Sequence, residues 1–289
     1  MFSGTHTALV TPFNRDGSVD YAKLEDLIGV QVENGVDGIA PVGTTGESPT
    51  LDYEEHNKVI ETAVRAAAGR VKVTAGTGAN STAEALSLTR HAKDAGADAT
   101  LQVTPYYNKP SQEGLVRHFS AIADIGLPVV LYNVPGRTAR EIAVDTVVRL
   151  ADHPNIVALK EAGGSVDRVS AILRQCSITV LSGDDALTFP MMAVGARGVI
   201  SVASNVAPRL VADMTHLALD GKWEQARLLH LKLHRLFGDL FIETNPVPVK
   251  AAMAMMGLLE EVYRLPLCEM SAANKETLRE TLRELELVK

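Results

Sequence analysis

Short apolar runs alternate with amphipathic stretches along the first three quarters of the chain. Eight of these runs are bounded by turn residues and predict β-strands at residues 7–10, 38–42, 71–75, 99–103, 129–132, 156–160, 179–181 and 199–202. Between them, apolar residues recur at helical spacing and predict helices such as 21–33, 54–68, 82–95 and 113–124. Strands that alternate with helices in this way are typical of an α/β protein with a parallel sheet.

The number of these units favours a closed barrel. Eight strand–helix units in about 220 residues match a (β/α)8 TIM barrel. A doubly wound sheet usually has fewer strands, and it needs a glycine-rich loop to hold a dinucleotide. The nearest candidate for such a loop is Gly76-Thr77-Gly78, and Ser81 stands where the third glycine belongs. We therefore predict a barrel across residues 1–221.

The strand pattern stops near residue 221. Helical periodicity over residues 223–241, 247–259 and 271–287 predicts a C-terminal helical domain at 222–289. We expect this appendage to serve packing and subunit assembly and to carry no chemistry. His230 and His234 stand four residues apart, as metal ligands can, but no third ligand follows nearby. We therefore predict no metal site there.

Composition and charge narrow the class of protein. Of the 289 residues, 46% are hydrophobic and 22% are charged, which is ordinary for a globular enzyme. A net charge of −7 argues against a nucleic-acid partner, because neutralising phosphates requires a basic surface. Cys176 and Cys268 are too few for a disulfide framework and fit a reducing cytoplasm. We see no signal peptide and no membrane-spanning apolar stretch, so we expect a cytoplasmic protein with no membrane partner.

Lys160 is the residue that indicates chemistry most directly. It closes the apolar run 156–160 and is followed at once by Glu161-Ala162-Gly163-Gly164, so its side chain should lie at the mouth of a pocket. Desolvation disfavours the ammonium form, and a free amine can form a Schiff base with a carbonyl substrate. Taken alone the lysine is weak evidence, because most strand-end lysines reach solvent or pair with an acid.

The other strand ends add polar groups to the same face, because the loops after the strands build the active site of a (β/α)8 barrel. Gly43-Thr44-Thr45-Gly46-Glu47 could be a tight turn or a nest for a carboxylate. Tyr106, Tyr107 and Tyr132 could be core aromatics. Arg137 could be a solvated loop residue, or its planar guanidinium could bind a substrate carboxylate through two hydrogen bonds. An amine, phenols, threonines and a guanidinium on one face are hard to explain by packing, and together they predict an active site.

Three motifs carry a resemblance to a known family. They are Gly43-Thr44-Thr45-Gly46-Glu47, Tyr132-Asn133-Val134-Pro135-Gly136-Arg137-Thr138 and Lys160-Glu161-Ala162. These motifs resemble the signatures of the dihydrodipicolinate synthase family, within the superfamily of pyruvate-dependent class I aldolases. The similarity extends over the whole chain. The glycine-threonine loop and the strand-six lysine belong to the superfamily at large, whereas Arg137 is more particular to the synthases.

The resemblance implies a lyase that condenses pyruvate with L-aspartate 4-semialdehyde in the diaminopimelate route to lysine, without a metal or organic cofactor. It implies that Lys160 forms the Schiff base and that Thr44 and Thr45 hold the carboxylate of pyruvate. A proton relay would run through Tyr132, Thr44 and Tyr107, with Tyr107 supplied by a neighbouring subunit. The chain would then be a homo-oligomer, and we expect a tetramer built as a dimer of dimers.

The resemblance assigns further contacts to the substrate. Arg137 would hold the carboxylate of the aldehyde, and Gly183 and Ile200 would supply backbone contacts. Pyridoxal phosphate, which also bonds to a lysine, is disfavoured. Barrels usually hold its phosphate with the loops after strands seven and eight, where Asp184 and Asp185 would repel it.

The family also suggests a regulatory site. In several members L-lysine binds at a subunit interface and inhibits the enzyme. The matching positions here are Ser48, His56, Asn80, Glu84 and Tyr106. Pro49 and Tyr53 depart from a common pattern of alanine and histidine. Glu84 has a competing explanation, because Ser81-Thr82-Ala83-Glu84 has the pattern of a capping box at a helix start.

Two other functions stay open at the level of the sequence. Another aldolase of the superfamily, such as N-acetylneuraminate lyase or a 2-keto-3-deoxy sugar acid aldolase, would share Lys160 and Tyr132 but would not need an arginine at position 137. A non-catalytic barrel could instead bind an acidic metabolite and regulate a partner. Such a protein would be expected to lose the amine or its relay, and all of these residues are present.

Overall fold

The structure, a computed structural model, describes residues 2–289. Eight parallel strands form a closed barrel in chain order, and β8 pairs with β1. The strands are β1 (Gly4–Ala8), β2 (Gly38–Ala40), β3 (Lys72–Gly76), β4 (Ala99–Val103), β5 (Val129–Asn133), β6 (Ile156–Glu161), β7 (Thr179–Ser182) and β8 (Gly198–Ser201). The predicted TIM barrel is confirmed.

Twelve α-helices lie among residues 2–289. They are α1 (Tyr21–Glu33), α2 (Tyr53–Ala67), α3 (Thr82–Asp94), α4 (Gln112–Ala123), α5 (Pro135–Thr138), α6 (Val144–Ala151), α7 (Val166–Leu173), α8 (Thr188–Ala193), α9 (Pro208–Leu219), α10 (Trp223–Asp239), α11 (Val247–Met255) and α12 (Ala272–Glu284). Six helices follow an aspartate or serine whose side chain accepts a hydrogen bond from the third helical N–H, which satisfies an otherwise free donor. These caps are Asp20, Asp52, Ser81, Ser111, Ser165 and Ser271.

The first strand begins earlier than the apolar pattern predicted. β1 covers Gly4–Ala8 rather than residues 7–10, because the polar residues Thr5 and His6 precede the predicted run although both are buried. The Thr5 and Thr215 hydroxyls share a hydrogen bond at 2.8 Å, and Thr7 Oγ1 donates to Gln31 at 2.7 Å. Helices α9 and α1 therefore satisfy these buried hydroxyls, which a pattern of apolar residues cannot reveal.

The second strand ends earlier than predicted. β2 stops at Ala40 rather than at residue 42. Pro41 has no N–H for the ladder, and Val42 adopts a left-handed backbone with φ 58°. The chain therefore leaves the barrel wall two residues early and enters the loop that carries Thr44 and Thr45.

The C-terminal helices share a hydrophobic core with the barrel. Phe237 and Leu240 near the end of α10 and Val249 of α11 belong to the same buried cluster as Leu181 and Val202 of the barrel. Two further clusters lie between the strands and the outer helices. The boundary at residue 221 stays a prediction, and the shared core indicates that the two parts fold against each other. No helix in the described part of the chain is both long and apolar enough to cross a membrane.

Candidate active site

Lys160 lies in β6 and lines a cavity of about 320 Å³ at the carboxyl ends of the strands. Its register partners are Tyr132 of β5 and Leu181 of β7. The Lys160 Nζ lies 4.2 Å from the centre of the Tyr132 ring. The residue is only 5% exposed, and no carboxylate among residues 2–289 lies within salt-bridge distance of Nζ. This lysine neither reaches solvent nor pairs with an acid, which were the two structural alternatives.

Gly183, which follows β7, leaves room for the Lys160 side chain. A Cβ atom at position 183 would lie 3.0 Å from Lys160 Cε and 2.8 Å from Ala162 Cβ. The Gly183 N–H donates to the Glu161 carbonyl at 2.7 Å, which extends the pairing of β6 and β7 to the cavity. Close approach of Ala162 and of the Lys160 side chain together accounts for glycine here, and the backbone contact to substrate stays a prediction.

Thr44 and Thr45 line the cavity from the loop after β2. The loop turns tightly, since the Glu47 N–H donates to the Thr44 carbonyl at 3.2 Å. Thr45 is 3% exposed, and its Oγ1 accepts a hydrogen bond from Asn245 Nδ2 at 3.0 Å. Because Oγ1 acts as an acceptor in that bond, its own proton is free for a carboxylate oxygen.

Arg137 reaches the same cavity from α5. Its Nη2 donates to the Asn245 carbonyl at 3.1 Å, which fixes one side of the guanidinium group. A guanidinium has five N–H donors, so several remain for a ligand. An exposed arginine held in this way can receive a carboxylate that enters from solvent.

The sequence pattern did not identify Asn245, which contacts both Thr45 and Arg137. Asn245 is 5% exposed, lies between α10 and α11, and lines the cavity together with Phe237 and Phe241. The C-terminal appendage therefore does more than the expected packing and assembly, because it supplies part of the cavity wall and holds Thr45 and Arg137. Whether it takes part in chemistry stays a prediction. The available signal was two closely spaced prolines after an asparagine, which is typical of an ordered turn.

Two predicted site residues lie outside this cavity. Tyr107 is 91% exposed, with a left-handed backbone at φ 70°. It makes no part of the cavity wall in this structure, so its predicted relay with Tyr132 and Thr44 stays a prediction. Ile200 of β8 belongs to the buried core of the barrel, and any contact to substrate would come from its backbone.

The two aspartates after β7 differ in position. Asp184 lines the cavity, as expected. Asp185 is buried and accepts hydrogen bonds from the Ser201 hydroxyl and from the backbone N–H groups of Val202 and Ala203. Burial raises the pKa of the Asp185 carboxyl, and these hydrogen bonds oppose the shift. Only Asp184 is therefore placed to repel a phosphate in the cavity. Asp185 instead connects the loop after β7 to β8 through its hydrogen bonds.

A buried polar network that the sequence did not predict lies beside Lys160 in β6. Glu161 is fully buried and accepts hydrogen bonds from Asn133 Nδ2 at 2.9 Å, from the Gly163 N–H at 2.7 Å and from Arg168 Nε at 2.9 Å. Adjacent residues of a strand point to opposite faces, so Glu161 points away from the cavity that Lys160 lines. The network fixes the end of the strand that presents the amine.

A second cavity of about 640 Å³ adjoins the first and shares Thr44, Tyr132 and Arg137 in its wall. Four of the five predicted regulatory residues line it, namely Ser48, His56, Glu84 and Tyr106. Asn80 lies beside this lining, and its carbonyl accepts a hydrogen bond from Asn108 Nδ2 at 2.8 Å. Thr44, Tyr132 and Arg137 therefore lie in the wall between the cavity of Lys160 and the cavity that four predicted regulatory residues line.

Glu84 makes half of the predicted capping box. The Glu84 N–H donates to Ser81 Oγ at 3.5 Å. Interaction of the Glu84 carboxylate with the nearby Tyr53 hydroxyl raises the pKa of Tyr53. A complete capping box forms instead at the start of α2, between Asp52 and Glu55. The Ser81 cap involves only the backbone N–H of Glu84. The Glu84 carboxylate does not take part in the cap, and Glu84 lines the second cavity.

His230 and His234, the pair with metal-ligand spacing, belong to an aromatic group on α10. The His230 ring stacks on Phe189 at 5.5 Å, and its pKa is lowered by burial and by the charge of His234. Among residues 2–289, no three histidine, cysteine or acidic side chains converge to hold a metal ion.

A closed (β/α)8 barrel with a buried lysine beside a tyrosine, two threonines and an arginine at its strand ends is the arrangement of class I aldolase-type lyases. The model of the dihydrodipicolinate synthetase family matches residues 1–285. The chain belongs to this family.

Individual members are similar over their full lengths. The 4-hydroxy-tetrahydrodipicolinate synthase of Geobacter metallireducens is 54% identical, with 100% of both chains covered. The crystal structure of dihydrodipicolinate synthase from Aquifex aeolicus is 54% identical with a TM-score of 0.97, covering 99% of each chain. The Acinetobacter baumannii synthase, solved in complex with pyruvate, is 46% identical with a TM-score of 0.98 over 100% of each chain. The Cyanidioschyzon merolae synthase with lysine bound is 42% identical with a TM-score of 0.97 over 99% of each chain.

Proposed function

We propose that this chain condenses pyruvate with L-aspartate 4-semialdehyde, the synthase reaction of the diaminopimelate route to lysine. One observation carries the proposal: Lys160 is buried and unpaired, 4.2 Å from the Tyr132 ring, in a cavity that also holds two threonines and Arg137. The names of the relatives and the pyruvate bound to one of them support the same chemistry.

The reaction begins with attack of Lys160 Nζ on the keto carbon of pyruvate, and loss of water gives an imine. The Thr44 and Thr45 hydroxyls donate to the pyruvate carboxylate. Loss of a methyl proton then gives an enamine, whose terminal carbon attacks the aldehyde carbon. The amino group of the second substrate attacks the imine carbon, closes the ring and expels Lys160 as a free amine.

Protons move through a relay of Tyr132, Thr44 and Tyr107. A phenol with an ordinary pKa of about 10 shuttles protons poorly at neutral pH, so a chain of hydroxyls is needed. Tyr107 comes from a neighbouring copy, and its 91% exposure supports this assignment. We propose a tetramer built as a dimer of dimers, with the relay crossing the interface within each dimer.

Arg137 binds the carboxylate of L-aspartate 4-semialdehyde, and backbone atoms of Gly183 and Ile200 contact the bound substrate. The donors that Arg137 does not use on Asn245 support this role. A polyhydroxylated sugar acid, the substrate of rival aldolases, would not require a fixed guanidinium at this position. No organic cofactor is required, because the lysine itself acts as the electron sink.

Turnover of pyruvate and the aldehyde, coupled to the following reductase and measured as loss of NADPH, tests this function. We expect turnover in the wild type, none in Lys160→Ala, and a borohydride-trapped pyruvate adduct on Lys160. A trapped adduct without turnover would instead favour a sugar-acid aldolase. A protein that traps no pyruvate would favour the non-catalytic regulator.

L-lysine is the proposed inhibitor, bound by Ser48, His56, Asn80, Glu84 and Tyr106. The connection of the second cavity to Thr44 and Tyr132 supports inhibition of the reaction from that site. Calorimetry with pyruvate present should detect lysine binding, and Glu84→Gln should weaken it at least tenfold by removing the negative charge that attracts the ligand's amine. Ser81→Ala is the control, because it removes the cap and leaves the carboxylate. Absence of binding heat in the wild type would eliminate this site.

We propose the cytoplasm as the compartment in which the enzyme acts. Cys176 and Cys268 are free thiols, which supports a reducing environment. Fractionation of cells that produce the untagged protein would test this location, and recovery outside the cytoplasmic fraction would refute it.

A further inference from the structure

An ion pair that joins two distant segments lies directly behind the threonine loop. Lys250 Nζ of α11 lies 2.5 Å from Glu47 Oε1, and both side chains have 0% exposure. Lys250 Nζ also lies 4.2 Å from the centre of the Phe13 ring. Burying two charged groups costs free energy, and the cost is offset only when the two groups pair closely with each other. A fully buried ion pair beside an aromatic ring therefore differs from an incidental ion pair on the surface.

Glu47 closes a loop with an unfavourable backbone at both ends. Val42 before the loop and Glu47 at its end have left-handed φ values of 58° and 54°. This conformation is strained for side chains other than glycine, above all for a β-branched residue such as valine. Such a backbone persists only where surrounding contacts hold it. The Glu47 side chain supplies the charged contacts to this loop, and Thr11 Oγ1 also donates to the Gly46 carbonyl at 2.6 Å.

The C-terminal segment holds this loop at several points. Besides the bond from Lys250, Glu47 Oε2 accepts a hydrogen bond from the Arg264 N–H at 3.4 Å. The Arg264 guanidinium donates to the Thr50 carbonyl at 2.7 Å, just beyond the loop. On the cavity side, Asn245 donates to Thr45. The loop that carries Thr44 and Thr45 is therefore held by residues about 200 positions later in the chain.

We propose that Glu47 and Lys250 form a positioning pair, which holds the loop of residues 43–47 in its strained turn and thereby aims the Thr44 and Thr45 hydroxyls at the pyruvate carboxylate. The kinetic part of this proposal depends on the proposed function, whereas its structural part does not. Neither residue lines the catalytic cavity, so both act through the loop.

The test is the double variant E47Q/K250M, which removes both charges and so avoids leaving one of them buried and unpaired. We expect amide hydrogen exchange at Gly46, Glu47 and Ser48 to become at least about tenfold faster. We expect kcat/KM for pyruvate to fall at least about tenfold, while KM for the aldehyde changes less than about threefold. E47Q alone keeps the side-chain shape and one acceptor oxygen but leaves the buried Lys250 ammonium without its counter-charge. It should change both quantities in the same direction and by at least as much, and it is the second variant if E47Q/K250M does not fold.

The matched control is K275M/E261Q, which removes a 2.5 Å ion pair from the C-terminal segment without touching the loop. It should leave loop exchange and pyruvate kinetics unchanged. Loss of thermal stability in E47Q/K250M with unchanged loop exchange and unchanged kcat/KM for pyruvate would overturn the proposal and make the pair merely structural. A wild type that does not turn over the two substrates would refute the proposed function, and the exchange experiment would still test the pair.

Discussion

The Cε atom of Lys160 lies 3.0 Å from the point that a Cβ atom would occupy at position 183. Two carbons in ordinary contact are about 3.5–4.0 Å apart, so only glycine fits beside this lysine in its present conformation. The loop after β7, which contains Gly183, therefore packs closely against the Lys160 side chain of β6. Gly183 can therefore affect the position of the proposed Schiff-base lysine through steric fit.

Gly183→Ala should slow formation of the pyruvate adduct at least about tenfold, because the methyl group displaces the Lys160 side chain from its attack geometry. The rate of borohydride inactivation in the presence of pyruvate measures this effect. The Lys160 side chain can move aside, and the backbone after β7 must also shift, because the new Cβ would lie 2.8 Å from Ala162 Cβ. Circular dichroism and thermal unfolding of the variant establish that it is folded under the assay conditions. Gly238→Ala in α10, where a Cβ meets nothing within 4 Å, is the control and should leave the rate unchanged. Equal rates in both variants would show that the close approach has no catalytic consequence.

Arg137→Ala should separate the two substrates. Loss of a charged hydrogen-bonding group, worth about 1.5–3 kcal/mol, should lower kcat/KM for the aldehyde by roughly 10- to 150-fold. Adduct formation with pyruvate should be unchanged within about twofold, because in the proposed mechanism the threonines, not Arg137, bind the pyruvate carboxylate. Steady-state kinetics with each substrate varied in turn would measure both effects. Equal losses for the two substrates would mean that Arg137 supports the whole cavity rather than the aldehyde.

Tyr107 provides a test of the shared active site. Tyr107→Phe and Lys160→Ala should each be almost inactive as pure proteins. Refolding them together should restore activity, because a mixed dimer contains one site with an intact lysine and an intact partner tyrosine. Random pairing predicts about a quarter of the wild-type activity. No recovery, with mixed oligomers demonstrated by mass spectrometry, would contradict the donation of Tyr107 between subunits.

The stability of the protein should fall in mild acid because of two buried histidines. Burial lowers the pKa of His6 and of His118 to about 4. The unfolded value is near 6.5, so between these values the unfolded chain binds protons that the folded chain does not. Stability is therefore complete above pH 6.5 and declines as the pH falls toward 4, by about 2 kcal/mol for each histidine at pH 5.

Urea unfolding between pH 8 and pH 5, at fixed protein concentration, measures this decline. His118→Gln should have a lower free energy of unfolding at pH 8, because it alters the 2.9 Å hydrogen bond to Thr82. Its free energy should also depend less steeply on pH than that of the wild type. An identical pH dependence in the two proteins would show that His118 does not resist protonation in the folded state.

Local patterns predicted the barrel because its signals repeat along the chain. Each strand is a short apolar run bounded by turn residues. The helices between the strands have apolar residues at helical spacing, and several begin after a capping aspartate or serine. The pattern failed where a polar residue was buried, as at Thr5, whose hydroxyl shares a hydrogen bond with Thr215 in a helix far along the chain. It also failed at Val42, whose backbone leaves the strand conformation that its residue type favours.

The sequence by itself determined the fold class and which strand ends carry an amine, a phenol, threonines and a guanidinium, because strand order fixes what reaches one face of a barrel. Only the tertiary structure brought Asn245 to Thr45 and Lys250 to Glu47, across 200 and 203 residues of chain. It alone exposed Tyr107 and placed Gly183 against Lys160. Such contacts depend on how distant segments pack, and periodicity and spacing report only on neighbours in the chain.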